Sequence, residues 1–371
     1  MNKHTKRISD VGVSIWLDDL SRSKLQSGLL ERLIDERNVV GVTTNPSIFN
    51  KAILSETLYD AQIAELAQTG ASGEEVLFEL TCADVLAAAD IFLPVYQRTN
   101  STDGRVSIEV DPRFARDAVA TIRQAKELWA KIDRPNIMIK IPAVPESLPA
   151  ITEALANGLS VNATLIFSKE RYLQVIDAFI TGLEKAHTAG HDLSKIDSVA
   201  SFFVSRVDTA IDKQLEETGT EDALSLRGKT ALANAIIAYA AYENAFSNDA
   251  RWSALEKAHA KKQRPLWAST GVKNPAYPPT LYVTELAGMN VVNTMPEPTL
   301  DALSTYAGEI TDKLRGGLAE AQEIFTKIER ILGEGTISAV LEKLEQDGVR
   351  QFEDAWNDLL ADIGRKIQTA K

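Results

Sequence analysis

The run Ile137-Met138-Ile139-Lys140-Ile141-Pro142 sets one ionisable side chain among aliphatic neighbours. A lysine stripped of hydration loses its preference for the charged form, and the neutral amine that results can attack a carbonyl and form a Schiff base. On this segment alone a second reading stays open, a strand-end lysine whose stem is covered while its ammonium reaches water or a carboxylate. Further polar residues stand at or just after the ends of other apolar runs: Asp18, Asn45, Glu109, Asn162 with Thr164, Ser201 with Arg206, and Ser269 with Lys273. Two carboxylates beside an amine meet the needs of Schiff-base chemistry. One group must shuttle protons at the nitrogen and the carbinolamine, and another must accept a hydroxyl proton as a carbon–carbon bond breaks. Glu109, one run before Lys140, suits the first task, and Asp18 suits the second. Taken singly, Asp18, Asn45 or Ser201 could be a helix N-cap. Seven such positions in order along the chain ask for a common cause.

The elements that would bring them together are eight strand-like runs: Val11–Leu17, Val39–Thr44, Val106–Val110, Ile137–Ile141, Leu159–Phe167, Ser198–Val204, Pro265–Ser269 and Val291–Thr294. Helix-like stretches separate them, such as Pro112–Ile132 and Lys169–Ala186, so the strands should pair in parallel through right-handed crossovers. Eight units of this kind predict an α/β fold closing into a TIM-type (β/α)8 barrel with extra helices, whose functional groups lie at the C-terminal ends of the strands. An open doubly wound sheet fits less well, because no Gly-x-Gly-x-x-Gly turn follows a strand. Side-chain alternation then places Gly12, Ser14, Trp16 and Asp18 on the inner face of the first strand, Asn45 with Gly41 and Thr43, Glu109 with Ser107, and Asn162 with Thr164.

The 371 residues are read as one barrel unit, 1–371, carrying a helical insertion over 51–104 and a C-terminal helical extension over 301–371 that packs on the barrel. The insertion is expected to hold two helices. The extension is expected to break at Gly333-Glu334-Gly335 and at Asp347-Gly348. Its final apolar stripe, Phe352, Trp356, Leu359, Ile363 and Ile367, suits exterior packing better than a lid across the site.

A net charge of −12 argues against nucleic acid or an anionic membrane surface as partner. A single cysteine, Cys82, suits a reducing compartment and reads as a buried helical thiol. The basic N-terminus lacks an apolar stretch after it, and no uncharged run is long enough to span a bilayer. The expectation is a cytoplasmic protein.

The residues at the strand ends carry a resemblance. Gly41-Val42-Thr43-Thr44-Asn45-Pro46-Ser47-Ile48-Phe49, Gly104 to Val110, Ile137 to Pro142, Ser160-Val161-Asn162-Ala163-Thr164-Leu165-Ile166-Phe167-Ser168, Ser201 to Asp208 and Trp267 to Asn274 together resemble the transaldolase family, in order and spacing, over roughly residues 10 to 300. The resemblance implies a class I mechanism in which a dihydroxyacetone unit passes from a ketose phosphate (sedoheptulose 7-phosphate or fructose 6-phosphate) to an aldose phosphate (glyceraldehyde 3-phosphate or erythrose 4-phosphate). It implies neither metal nor organic cofactor, and sugar phosphates as the binding partners of a monomer or homodimer. Carried over, Lys140 is the Schiff-base lysine, Glu109 the proton relay through a water near Thr164, and Asp18 the acid/base at bond cleavage. Asn45 and Asn162 would hold substrate hydroxyls, Ser201 and Ser269 line the site, and Arg206 and Lys273 supply charge for the phosphate. Two departures stand out. Many relatives have an arginine shortly after the seventh-strand serine, whereas this chain reads Ser-Thr-Gly-Val-Lys-Asn with Lys273 at a different offset from Ser269, and no threonine or serine follows Asp18.

Other strings carry less. Arg227-Gly228-Lys229-Thr230 ends like a P-loop but lacks the leading glycine and reads as a helix start. His187 and His191 read as a surface loop rather than a metal pair, and the run Lys257–Lys262 as a solvated helix end. A class I aldolase without obligatory transfer, and a non-catalytic sugar-phosphate-binding barrel, remain alternative functions for the same residues.

Overall fold

Eight parallel strands form in the computed structural model, which describes residues 2–370; Met1 and Lys371, the ends of the 1–371 unit, lie outside the described residues. The strands are β1 (Val13–Leu17), β2 (Val39–Val42), β3 (Arg105–Glu109), β4 (Ile137–Pro142), β5 (Val161–Ile166), β6 (Ser198–Phe203), β7 (Arg264–Ala268) and β8 (Val291–Met295). They pair in sequence order, and β8 closes onto β1 to complete a barrel. This is the (β/α)8 architecture with extra helices that the alternating runs predict. Every residue of β3 to β8 is buried, one face against side chains inside the barrel and the other against helices, which is why these strands read as near-continuous apolar runs.

Inside the barrel, Trp16 fills the space over Gly41. A Cβ at Gly41 would lie 2.6 to 2.7 Å from three atoms of the indole, which is itself wholly enclosed. Gly41→Ala therefore overpacks a site that has nowhere to expand. The expected cost is about 1–3 kcal/mol in denaturant unfolding, and an unchanged midpoint would contradict this contact.

Helix starts follow the side-chain signals. Asn45 caps Pro46–Ser55, Asp117 caps Ala118–Ile132, Ser168 caps Lys169–Thr188, and Ser72 with Glu75 forms a capping box on Gly73–Arg98. The insertion is richer than two helices. Pro46–Ser55 runs into it, followed by a single 3-10 turn, then Asp60–Gln68 and the 26-residue helix Gly73–Arg98, which packs behind β3 and buries Cys82. Thr230 opens the helix Thr230–Asn248, as the weak P-loop string suggests. No helix among the described residues is long and apolar enough to cross a membrane.

The C-terminal region departs from expectation twice. The chain does break around Gly333, but the last helix runs uninterrupted from Thr336 to Ala370, straight through Asp347-Gly348. Gly348 is a point of close approach: a Cβ there would sit 3.2 Å from Leu165 and 3.5 Å from Phe167, at the end of β5. Nor does the helix stay on the exterior. Leu359 and Ile363 are buried in the part of the helix that packs on the insertion helices, while Phe352 reaches over the mouth of the barrel toward Lys140.

Candidate active site

The C-terminal ends of the strands converge on a cavity of about 90 Å³ lined by Asp18, Thr43, Asn45, Lys140, Ser201, Phe203, Arg206, Ala268, Ser269, Thr294 and Phe352. Six of the ten residues singled out from sequence border it. A wider apolar cavity, about 340 Å³, lies behind Glu109 between the insertion helices and Trp356, and does not include the lysine.

Lys140 stands on β4 with 4% of its surface exposed. Its Nζ donates to the carbonyl of Thr44 at 3.0 Å and lies 3.2 Å from Oε2 of Glu109, while the Phe352 ring centroid sits 5.5 Å away. The register of β3 against β4 sets Glu109 opposite Lys140, so the contact follows from strand pairing. Both readings open at the sequence level are thus partly met, since the amine is paired with a carboxylate and the pair is shut inside the barrel mouth rather than reaching water.

Burial pushes the Glu109 carboxyl up to about 7 against the opposing pull of Lys140. Neither Glu109 oxygen has an aligned hydrogen-bond partner among the described residues, and the same holds for Oγ1 of buried Thr164. Asp18 is also raised by burial, opposed by Lys140 and by the hydroxyl of Thr43, which donates to Oδ1 at 2.8 Å. That hydroxyl in turn lies 2.6 Å from the hydroxyl of Thr294.

The segment Thr43-Thr44-Asn45 therefore does three different things. Thr43 orients Asp18, the carbonyl of Thr44 receives the lysine, and Oδ1 of Asn45 accepts from the N–H of Ile48 at 3.0 Å while the residue still lines the cavity. Asn45 is a helix cap and a wall at once. Below the cavity, Asn162 is fully buried: it donates to Ser107 at 3.1 Å and accepts from Ser201 at 2.7 Å, so its amide is engaged within the protein.

Two residues at strand ends near the site follow unusual backbone. Ser269, just past β7, has φ 56°, and its hydroxyl lies 3.0 Å from that of Ser205. Leu165 has φ 62° where β5 shifts register against β6, a bulge that sets its side chain under Gly348 of the last helix. Non-glycine residues at positive φ cost energy and cluster at functional sites.

Arg206 borders the cavity, donates to Oε1 of Gln351 at 2.8 Å and lies over the Phe203 ring. Burial lowers its hold on the proton. Lys273 is not brought to the cavity. It is exposed in a neighbouring cleft with Asp208, Asp212 and Tyr277, although its charge still acts on Asp18. Among the described residues no group of His, Cys, Asp and Glu is arranged to hold a metal.

Sequence reasoning missed Thr294, Phe203 and Phe352 as cavity walls, and Thr43 and Thr44 as partners of Asp18 and Lys140. Thr294 lies one residue before the end of β8 and Thr43 shares the inner face with Asn45, so alternation along the strand was the available signal for both. Nothing in the order of residues ties Phe352 to Lys140.

A closed parallel barrel with a buried amine and two carboxylates at its C-terminal mouth defines a (β/α)8-barrel enzyme equipped for carbonyl chemistry. Residues 15–363 match the family model described as Transaldolase/Fructose-6-phosphate aldolase. Over 361 residues, 97% of this chain and 96% of the other, the sequence is 58% identical to "Transaldolase 2" of Streptomyces coelicolor. It is 54% identical to "Transaldolase" of Thermobifida fusca over 99% of both chains, and 52% identical to "Transaldolase" of Mycobacterium tuberculosis over 100% of this chain and 98% of that one. The chain belongs to the transaldolase/fructose-6-phosphate aldolase family. It is an enzyme of the transferase class, with transaldolase activity.

Proposed function

We propose that the chain moves a dihydroxyacetone unit from a ketose phosphate, sedoheptulose 7-phosphate or fructose 6-phosphate, to glyceraldehyde 3-phosphate or erythrose 4-phosphate, through a Schiff base on Lys140. The observation that carries this reading is the enclosed Nζ of Lys140, 3.2 Å from Glu109, in a cavity that Asp18 also lines. The neutral amine attacks the ketone carbon, and the resulting carbinolamine must lose water. Glu109, with its carboxyl near 7, supplies the proton for that loss. Asp18 takes the proton of the hydroxyl beyond the next carbon as the carbon–carbon bond breaks and the aldose phosphate leaves. The three-carbon enamine stays on Lys140, attacks the acceptor aldehyde while Asp18 returns the proton, and hydrolysis frees the new ketose.

Thr43 holds Asp18 for this exchange, and Asn162 acts through Ser201. Thr164 and Glu109, whose oxygens lack hydrogen-bond partners among the described residues, suit a water-borne relay between them. Arg206 binds the phosphate, and Lys273 adds charge from the neighbouring cleft. Residues 51–104 and 301–371 serve one barrel unit, the first supplying the wall behind Glu109 and the second the cover over Lys140. The site is complete within one chain, which suits a monomer or a homodimer, and the cytoplasm is the compartment that holds such sugar phosphates.

Borohydride reduction in the presence of fructose 6-phosphate tests the covalent step. A stable adduct should map to the peptide containing Lys140, and failure to trap any adduct would reject the mechanism. Product formation should also require an acceptor aldehyde. Turnover that ignores erythrose 4-phosphate would make the chain an aldolase instead.

The role of Glu109 has a pH signature. Its carboxyl is protonated below about 7 and ionised above, so a rate that needs the acid form is full at lower pH and falls as pH rises through that midpoint. Glu109→Gln should remove this limb and lower kcat by about 10²–10³-fold. A variant that keeps the wild-type limb would assign the titration to another group.

A further inference from the structure

Arg206 holds its charge at the edge of the reactive cavity. It lies partly buried beside the reactive cavity, yet no carboxylate among the described residues neutralises it; its side-chain acceptor is the amide carbonyl of Gln351, at 2.8 Å. Several other arginines do take acidic partners, as Arg171 does with both oxygens of Glu345 at 2.8 and 3.0 Å. Gln351 comes from the last helix, one residue before Phe352. That helix is fixed close to the barrel by the Arg171–Glu345 pair and by the approach of Gly348 to Leu165 and Phe167. Gln351 therefore reaches Arg206 from a helix that is itself held in place.

We propose that Gln351 is a specificity-determining residue for the phosphorylated substrate: its amide oxygen occupies the Arg206 guanidinium in the free enzyme and gives way to a phosphate oxygen when the sugar phosphate enters. This rests on the reading of Arg206 as the phosphate ligand. A neutral amide takes up one N–H of the guanidinium while leaving its full positive charge in place. A phosphate brings opposite charge and can take two parallel N–H···O bonds from the guanidinium, where the amide oxygen offers a single neutral acceptor, so the exchange favours phosphorylated over unphosphorylated sugars. A carboxylate at the same position would hold Arg206 as firmly as the substrate does and close the site to anions.

The full-length chain carrying Gln351→Glu tests this, with Arg206→Ala alongside. Measured quantities are KM and kcat for fructose 6-phosphate and the inhibition constant of inorganic phosphate, with thermal unfolding to confirm the fold. Gln351→Glu should raise both KM and the phosphate inhibition constant by about tenfold or more, with kcat at saturation within about twofold of wild type. Because Gln351 is exposed, the fold should be unaffected. Arg206→Ala should raise the same two constants. If Arg206→Ala changes neither, the phosphate reading of Arg206 is wrong. If it raises both while Gln351→Glu leaves them within about twofold, only the exchange at Gln351 is overturned.

Discussion

Lys140→Ala is expected to lower kcat/KM by on the order of 10⁵-fold, the scale of loss seen when an enzyme's covalent nucleophile is removed. Among the described residues no other amine is placed to replace it, since Lys273 lies in the neighbouring cleft and Arg206 is a guanidinium. The variant should still fold. Removing the ammonium takes away the charge that opposes the rise of Glu109 and Asp18, so both carboxyls move further toward the neutral form, which the buried site tolerates. The carbonyl of Thr44 loses its donor, a modest loss of about 1 kcal/mol. Lys140→Met, which restores the length of the side chain without the amine, should be as inactive as Lys140→Ala and more stable. Two measurements decide the matter: transfer assays at substrate saturation, and mass analysis after borohydride treatment. Activity within about a hundredfold of wild type, or a reduced adduct that survives in Lys140→Ala, would remove Lys140 from the mechanism.

At the opposite end of the barrel, Asp197→Asn is expected to cost about 3–5 kcal/mol of stability while leaving turnover per folded molecule unchanged. Arg105, at the start of β3, is completely buried, and its guanidinium donates to the carbonyls of Ser101 and Pro135 and to Asp197 at 3.1 Å. Its ring neighbour is Tyr96, 4.8 Å from the guanidinium carbon. Asp197 is the carboxylate that balances this charge, with Lys261 3.8 Å away as a weaker second cation. An asparagine keeps the shape and the acceptor oxygen but leaves the arginine's charge uncompensated, which is the costly way to break a buried pair. The thermal unfolding midpoint should fall by about 4–6 °C. Replacing both partners by apolar residues, Arg105→Met with Asp197→Leu, should recover much of the loss. A decrease below about 1 kcal/mol in the single variant would mean that the pair is better hydrated than its burial implies.

This ion pair also shows what a linear reading misses. The run Lys257–Lys262 reads as a solvated helix end, yet Lys261 folds back to donate to the carbonyl of Asn100 at 3.1 Å and to the hydroxyl of Ser101. The polar turn between the insertion and β3 is thereby tied to the loop that precedes β7. Charges close in sequence suggest solvent, whereas charges brought together from residues 105, 197 and 261 make a buried cluster.

Much of the site was legible because a barrel strand imposes a strict rule. Inner and outer side chains alternate, and each strand ends at the same mouth. Asp18, Asn45, Glu109, Lys140, Ser201 and Ser269 were found by that rule, and the pairing of Glu109 with Lys140 is simple strand register. The same rule reaches Thr294 and Thr43 when carried to the last strand and one step further along the second. It fails at β5, where Leu165 turns into positive φ and the register slips, and at Lys273, which lies in a loop with no alternation to direct it.

The amino-acid sequence by itself determined the eight units, the order of the strand-end groups and the placement of an amine between two carboxylates, because all three depend on local periodicity and on spacing within neighbouring strands. Only the tertiary structure decided what closes the site. Phe352 and Gln351 reach Lys140 and Arg206 across more than a hundred residues of intervening chain, on a helix whose apolar stripe suits the outside of a barrel equally well. An amphipathic face specifies that a helix is covered on one side. Where it docks is set by the shape it meets, here the bulge at Leu165 under Gly348, which lets the helix come close enough to cover the mouth.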